Sequence, residues 1–233
     1  MHNTDAVEIR NQLTRHPVTG VLPAEAIEQL VKSSRIESFK VSTMLSDEGI
    51  QASHIRFVLE GNIQLVSHNK QGEAVVLSSI GRHQWATWLM CFDKTAPIHA
   101  FYSSAKSRFI AIPCETMMHV AHQHPDMYLH IISAIGNRFR LLMDWVEQSS
   151  MLPSNRQVAK LLLISAQLTE CRNNQGMVSH TQEKLAKLAK LSRQTINNIL
   201  MELEQQQLIV RSYGKITIPD MLALDAFISS NGD

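Results

Sequence analysis

The apolar pattern of this 233-residue chain changes period at Pro125, and that change limits the folds open to it. Before the proline, between Glu37 and Pro113, polar and apolar residues mainly alternate: "RFVLEGNIQLVS" (56–67) and "AVVLSSIG" (74–81) read as strands, with Glu60-Gly61-Asn62 and Asn69-Lys70-Gln71-Gly72 as turns. Short strands with regular turns predict a compact β-roll or sandwich, preceded by a helix over 23–33 in which Pro23 suits the first turn. After the proline the period is helical to about Ser150. Tyr128, Ile132, Ile135, Phe139, Leu142, Val146 and Ser149 recur at alternating steps of four and three, a heptad seam. A second apolar row, Ile131, Ala134, Leu141 and Trp145, runs beside it. A helix with two apolar rows needs two surfaces to cover them. One is expected to pack on the β domain and the other, Tyr128, Ile132, Ile135, Phe139, Leu142 and Val146, to meet the same helix of a second chain. The alternative is a helix buried wholly within one monomer.

Leu152-Pro153-Ser154 interrupts the helical pattern before "RQVAKLLLISAQL" starts another helix, so a hinge is expected there. The expected organisation is α+β: an N-terminal β-roll domain over 1–124, a dimerisation helix over 125–152 and a C-terminal domain over 153–233. No run approaches the roughly 18 apolar residues of a membrane span, and the polar, acidic start does not read as a signal peptide. A cytoplasmic protein without membrane contact is expected. Cys91, Cys114 and Cys171 lie far apart with no CxxC pair, which excludes a disulfide framework, a zinc knuckle and a four-thiolate cluster and predicts reduced, mostly core cysteines. GxGxxG, GxxxxGK, HExxH and GxSxG are all missing, so nothing points to catalysis.

Net charge is +1, but one short stretch is basic: Lys184, Lys187, Lys190 and Arg193 are opposed there only by Glu183. The same stretch, "HTQEKLAKLAKLSRQTINNIL" (180–200), holds two helical runs, capped by Thr181 and Ser192. In the second, Ile196, Ile199, Leu200 and Leu203 fall at i, i+3, i+4 and i+7 and form a buried side. Arg193, Gln194, Asn197 and Asn198 fall opposite. An arginine fork matches guanine O6 and N7, and Gln or Asn amides match adenine N6 and N7, so these four are the candidate base readers. "LIVRSYGKITIPD" then reads as strand, Gly214 turn and strand, a wing beside a helix-turn-helix. A winged helix that binds protein instead is the competing reading.

"TQEKLAKLAKLSRQTINNILMELEQQQLI" resembles the winged helix-turn-helix of the Crp/Fnr family of bacterial transcription regulators. Upstream, "IRFVLEGNIQLVS", Gly72-Glu73, Ile80-Gly81 and "RFIAIP" before a helix resemble that family's cyclic-nucleotide-binding-type β-roll, a jelly-roll-like double-stranded β-helix, followed by its long dimer helix. The resemblance covers roughly residues 25–230. It implies a homodimer on a near-palindromic operator in double-stranded DNA, with RNA polymerase as a further partner. It assigns Arg193 to the family's guanine-reading arginine, while Gln194 replaces a usual glutamate and Asn198 a common second arginine. Those two departures predict an operator moved away from the familiar one, toward A·T pairs. Thr181, Gln182, Ser192 and Thr195 match phosphate-holding positions, and Lys190, also a candidate phosphate contact, stands where the family commonly has Gly.

Family members that bind cyclic AMP carry a Gly-Glu-Leu turn and an Arg-Ser pair. Here Thr87-Trp88-Leu89 stands in place of the first, and Pro97-Ile98 or Ile98-His99 in place of the second. Leu142-Met143 occupies helix positions where those members place hydroxyl residues. A phosphate buried without an arginine is strongly penalised, which argues against cyclic AMP and for another effector or none; no cofactor is expected. Trp85, Thr87, Trp88, Ile98, His99 and Leu142 are the candidate effector residues. Trp85, Trp88, Phe92, Phe101 and Tyr102 either line a pocket for a flat ligand or fill the core. His119, His122, His124 and His130 raise a haem- or metal-dependent sensor, against the simpler reading of surface or helix-end histidines.

Overall fold

The computed structural model describes residues 3–68, 74–148, 151–172, 174–178, 181–212 and 214–230. The expected turn over 69–72, the Gly72-Glu73 landmark and Ser149 at the end of the seam lie outside the described residues. The chain divides into two compact units, Met1–Ile135 and Gly136–Asp233.

The first unit opens with helices α1 (Asn3–Arg15) and α2 (Ala24–Ser33), the second after Pro23. Strands β1 (Arg35–Phe39), β2 (Met44–Ser46), β3 (His54–Glu60), β4 (Ile63–His68), β5 (Ala74–Ile80) and β6 (Trp85–Ala86) follow. Then come the short helix α3 (Trp88–Asp93), strands β7 (Ala100–Ser103) and β8 (Ser107–Pro113), and helix α4 (Cys114–Gln123). The strands form two antiparallel four-stranded sheets, ordered β1-β8-β3-β6 and β2-β7-β4-β5. This is the expected β-roll. Strand β3 is buried on both faces, because successive side chains point to opposite sides of a strand. Ile55, Phe57 and Leu59 join the core built with α1, α2 and α4. Val58 joins Ile63, Ala86, Phe101 and Phe109 in a second, apolar cluster. Between β3 and β4, Gly61 has φ +74°, and a Cβ there would sit 2.7 Å from Ser104 Oγ. Only glycine makes that turn without a shift.

Helix α1 is not among the sequence expectations; its polar residues hide a stripe of Ala6, Ile9 and Leu13, of which Ile9 and Leu13 are fully buried. A second difference concerns the cysteines. Cys91 on α3 and Cys114 at the start of α4 are not separate reduced thiols but are joined as a disulfide, with Cα atoms 5.2 Å apart. A pairing across two helices and 23 residues leaves no mark in local spacing.

Helix α5 (Asp126–Gln148) runs across the division between the units. Its start belongs with the first because Met127 and Ile131 are buried in that core, with Tyr128, Ala134 and Ile135 packed on it. Of the row expected to pack on the β domain, Ile131 and Ala134 do so, while Trp145 packs against the core of the second unit; Tyr128 and Ile135, expected in the seam between chains, pack on the first unit's core instead. The other seam residues, Ile132, Phe139, Leu142 and Val146, are exposed, Ile132 at 64% and Phe139 at 60%.

The second unit adds α6 (Ser154–Thr169), a hairpin of β9 (Glu170–Arg172) and β10 (Gln175–Val178), α7 (Gln182–Ala189) and α8 (Arg193–Gln205). Strands β11 (Val210–Ser212) and β12 (Lys215–Ile218) and helix α9 (Met221–Ser229) complete it. Its antiparallel sheet has the order β11-β12-β10-β9. The core gathers Val158, Leu162, Leu185, Ile196, Leu203, Ile218 and Leu224. A half-buried ion pair, Lys160 Nζ to Asp144 Oδ2 at 2.6 Å, ties α6 to the end of α5. No helix among the described residues is long and apolar enough to cross a membrane.

His16, just past α1, packs edge-on against Phe57 and Trp85. Its Nδ1 accepts from Trp85 Nε1 at 3.2 Å and from Val18 N at 3.1 Å. Burial, with the nearby charge of His83, lowers its pKa to about 4. A proton on Nδ1 would displace both donors, so folding holds the ring neutral while the unfolded chain protonates near the ordinary value. This contribution is complete at neutral pH and is lost as pH falls from about 6.5 toward 4. Unfolding free energy is expected to drop by about 2 kcal/mol over that window, less than the full linkage because the ring is partly exposed. In denaturant titrations, His16→Gln should flatten this part of the pH profile; an unchanged slope would remove His16 as its source.

Candidate nucleic-acid interface

Two capped helices build the site. Thr181 Oγ1 accepts from Lys184 N at 3.2 Å, and Ser192 Oγ accepts from Thr195 N at 3.0 Å, so each hydroxyl satisfies a free N–H of the first turn. The tight turn between the helices rests on Lys190, whose φ of 54° is left-handed. Leu191 N donates to Ala186 O at 3.0 Å and closes the first helix. Lysine therefore holds the conformation for which glycine is the natural residue, and a Cβ makes that conformation more costly.

Helix α8 buries Ile196, Ile199, Leu200 and Leu203 and turns Arg193, Gln194 and Asn198 to solvent. Asn197 behaves differently from its neighbours. Its Oδ1 accepts from Gln182 Nε2 at 3.3 Å and from Arg211 Nη1 at 3.4 Å, and the residue is half-buried. The carbonyl of Asn197 is thus engaged between the start of α7 and the wing, and three of the four candidate base readers stand free of such bonds on the exposed face. Gln182, expected at phosphate, is the partner that orients it. Thr195, the third hydroxyl expected at phosphate beside Thr181 and Ser192, lies 2.7 Å from Ser192 Oγ through its Oγ1.

The wing supplies residues the sequence reading leaves unassigned. Arg211 on β11 donates from Nε to Glu204 Oε2 at 2.7 Å, and its backbone N donates to Glu204 Oε1 at 2.8 Å. Those bonds fix the wing to the end of α8. The signal was present as a basic residue on each side of Gly214, which has φ +70° at the wing tip. Thr181, Gln182, Glu183, Arg193, Arg211 and Lys215 border a groove of about 540 Å³ between α7, α8 and the wing. Its cations outnumber its single acid. The Glu183 carboxyl is held below the usual carboxylate range by a hydrogen bond from Lys187, then by the charges of Lys187 and Arg193. Burial lowers the Lys184 ammonium, and that side chain is half-buried rather than part of an open basic stripe. An array of exposed amides and guanidinium, flanked by helix-start N–H groups and wing cations, suits a polyanion that also presents hydrogen-bonding edges.

The candidate effector residues do not share one environment. Trp85 and Trp88 are buried in the helix-side core, and Phe101 lies in the separate cluster inside the roll. Thr87 Oγ1 lies 2.8 Å from His54 O and 2.6 Å from Ala86 O, so its one proton is shared between two backbone carbonyls. Ile98 is 77% exposed, and His99 is half-buried. Leu142 belongs to the second unit. His119, His122 and His130 are exposed, with His122 Nδ1 2.6 Å from Met118 O. Among the described residues no three His, Cys, Asp or Glu side chains converge to hold a metal.

Residues 156–227 match the Crp-like helix-turn-helix domain. Over 195 residues the chain is 20% identical to the cAMP-activated global transcriptional regulator CRP of Salmonella typhimurium, covering 82% of this chain and 92% of that protein. Its fold is similar to that of FixK2 from Bradyrhizobium japonicum, with TM-score 0.66 and 10% identity over 85% of this chain and 99% of that one. It is also similar to the c-di-GMP responsive global regulator CLP of Xanthomonas campestris, with TM-score 0.58 and 14% identity over 84% and 99%.

Lys190→Gly should raise the stability of the second unit by about 1 kcal/mol, since glycine takes the left-handed turn without a Cβ. The same substitution should lower duplex affinity and reduce the slope of log affinity against log salt by about one, if the ammonium meets a phosphate. Thermal melts and anisotropy titrations separate the two effects. An unchanged salt slope would take Lys190 out of the interface.

Proposed function

We propose that this chain, whose residues 156–227 match the Crp-like helix-turn-helix domain, is a transcription regulator of the Crp/Fnr type that binds a near-palindromic operator as a homodimer. The observation that carries this reading is the exposed Arg193, Gln194 and Asn198 face of α8 beside a groove edged by Arg211 and Lys215. In this reading α8 enters the major groove, where Arg193 takes a guanine edge and Gln194 and Asn198 take adenine edges. Thr181, Ser192, Thr195 and Lys190 set the register on phosphates. Asn197 is a positioning residue, since its carbonyl already joins Gln182 to Arg211. The exposed row Ile132, Phe139, Leu142 and Val146 meets its copy in a second chain, which places two reading helices about one helical turn, roughly 34 Å, apart. The protein works in the cytoplasm, with RNA polymerase as a further partner.

The effector is one other than cyclic AMP, or none. Residues 84–92 contain no arginine or lysine, Thr87 spends its hydroxyl on backbone carbonyls, and the interior of the roll is filled by Val58, Ile63, Phe101 and Phe109. A nucleotide phosphate would find no charged partner among those groups. A relative activated by cAMP and a structural neighbour responsive to c-di-GMP share the fold, so the fold alone names no effector.

Arg193→Ala should cost about 1–3 kcal/mol at one base position and relax specificity there in a scan of single-base operator variants. Asn197→Ala should weaken binding without changing base preference. Uniform weakening by Arg193→Ala would make it a phosphate contact instead, and a preference change with Asn197→Ala would make that residue a reader. In sedimentation, Phe139→Asp should yield monomers, because a carboxylate would be buried in the apolar seam; an intact dimer would place the interface elsewhere. A winged helix that binds only protein would show no salt-sensitive duplex affinity at all.

A further inference from the structure

We propose that Cys91 and Cys114 form a reversible redox site, a dithiol that a hydroperoxide converts to the disulfide, locking α3 onto α4, and that a dithiol reductant restores. The inference rests on the DNA-binding reading in one respect: a protein that works beside DNA sits where thiols are kept reduced, and disulfides there are characteristically transient.

The placement favours both states. The two Cα atoms are 5.2 Å apart, within the range a disulfide spans without backbone movement. Cys91 is 1% exposed and Cys114 8%, yet both border a cavity of about 760 Å³ that also meets Lys94, Glu115, Met118 and His119. A small oxidant has room to reach the sulfurs from there. Cys114 is the first residue of the ten-residue α4, where helix-start N–H groups favour a thiolate, and Lys94 adds a cation to the cavity wall against the carboxylate of Glu115. Helix α3 is six residues long, and both flanking residues are left-handed without being glycine, Thr87 at φ 66° and Lys94 at φ 57°. Trp88 anchors it in the core, and the disulfide adds a covalent tether to α4.

The chemistry balances. The Cys114 thiolate attacks one peroxide oxygen and the O–O bond breaks. Sulfur becomes a sulfenic acid, and the other oxygen leaves with a proton as alcohol or water. Cys91 sulfur then attacks Cys114 sulfur, the S–O bond breaks, and the departing hydroxide takes the Cys91 proton as water. A dithiol returns two electrons and two protons by exchange and is itself oxidised. The state of the bond reaches the start of α5 through a shared core, since Cys91 and Cys114 pack in one cluster with Met117, Val120, Met127 and Ile131.

The test uses the full-length protein, reduced with dithiothreitol, freed of reductant and treated with hydrogen peroxide. Alkylation and peptide mapping should show Cys91 and Cys114 losing their label together as one linked peptide, and regaining it when dithiothreitol is added to the folded protein. Amide exchange over 88–93 should slow in the oxidised state. Cys91→Ser and Cys114→Ser should each abolish the link, and Cys171→Ser should keep it; the wild-type comparison stands even if a variant folds poorly. The proposal is overturned if both thiols stay labelled after peroxide, if either pairs with Cys171 or another chain, or if the link resists dithiothreitol until the protein unfolds. It is equally overturned if exchange over 88–93 is the same in both states. None of these readouts involves DNA, so they fail or succeed apart from the nucleic-acid reading.

Discussion

Burial of one face of α8 is the constraint on which the candidate interface depends. Ile196, Ile199, Leu200 and Leu203 are nearly inaccessible in the core of the second unit, and each such side chain contributes on the order of 1.5–3 kcal/mol when fully removed from water. With that face committed, helical geometry leaves Arg193, Gln194 and Asn198 no direction but outward. The caps at Thr181 and Ser192 and the left-handed Lys190 then set the angle between α7 and α8, while the Arg211–Glu204 pair fixes the wing beside them. Function on this account is a consequence of packing: the polar face is ordered because the apolar face cannot turn.

The first unit shows the same economy with a different outcome. Its two sheets and flanking helices enclose two apolar clusters. The alternation along β3 sends Ile55, Phe57 and Leu59 to one cluster and Val58 to the other. Thr87, in place of a phosphate-holding residue, is engaged with backbone carbonyls, which supports the proposed reading of an effector other than cyclic AMP or none. The paired cysteines at the junction of α3 and α4 offer chemistry that the nucleotide-binding pattern does not.

Periodic features were the legible ones. The β3–β4 hairpin, α5, the two capped helices and the wing all follow from apolar spacing and turn residues, because local geometry dictates them. The exposed positions on α8 were legible for the same reason, since a buried row of four implies its opposite. Helix α1 escaped because its three apolar residues are diluted among polar ones, and helix α9 because "MLALDAFIS" is apolar on too many sides to show a face. The engagement of Asn197 by Gln182 and Arg211, and the pairing of Cys91 with Cys114, depend on residues brought together by tertiary structure. Trp85 and Trp88 fall in one core cluster and Phe101 in another, a division set by strand direction and helix position that the sequence, which left pocket and core both open, does not show.

The most direct measurement of the central claim is selection of bound duplexes from a random pool by the purified full-length protein at near-physiological salt, run without ligand and with cell metabolite extract. The account predicts enrichment of a near-palindromic motif bound with roughly nanomolar affinity, with base preferences that change when Arg193 is replaced. Weak, sequence-blind binding under both conditions would contradict it.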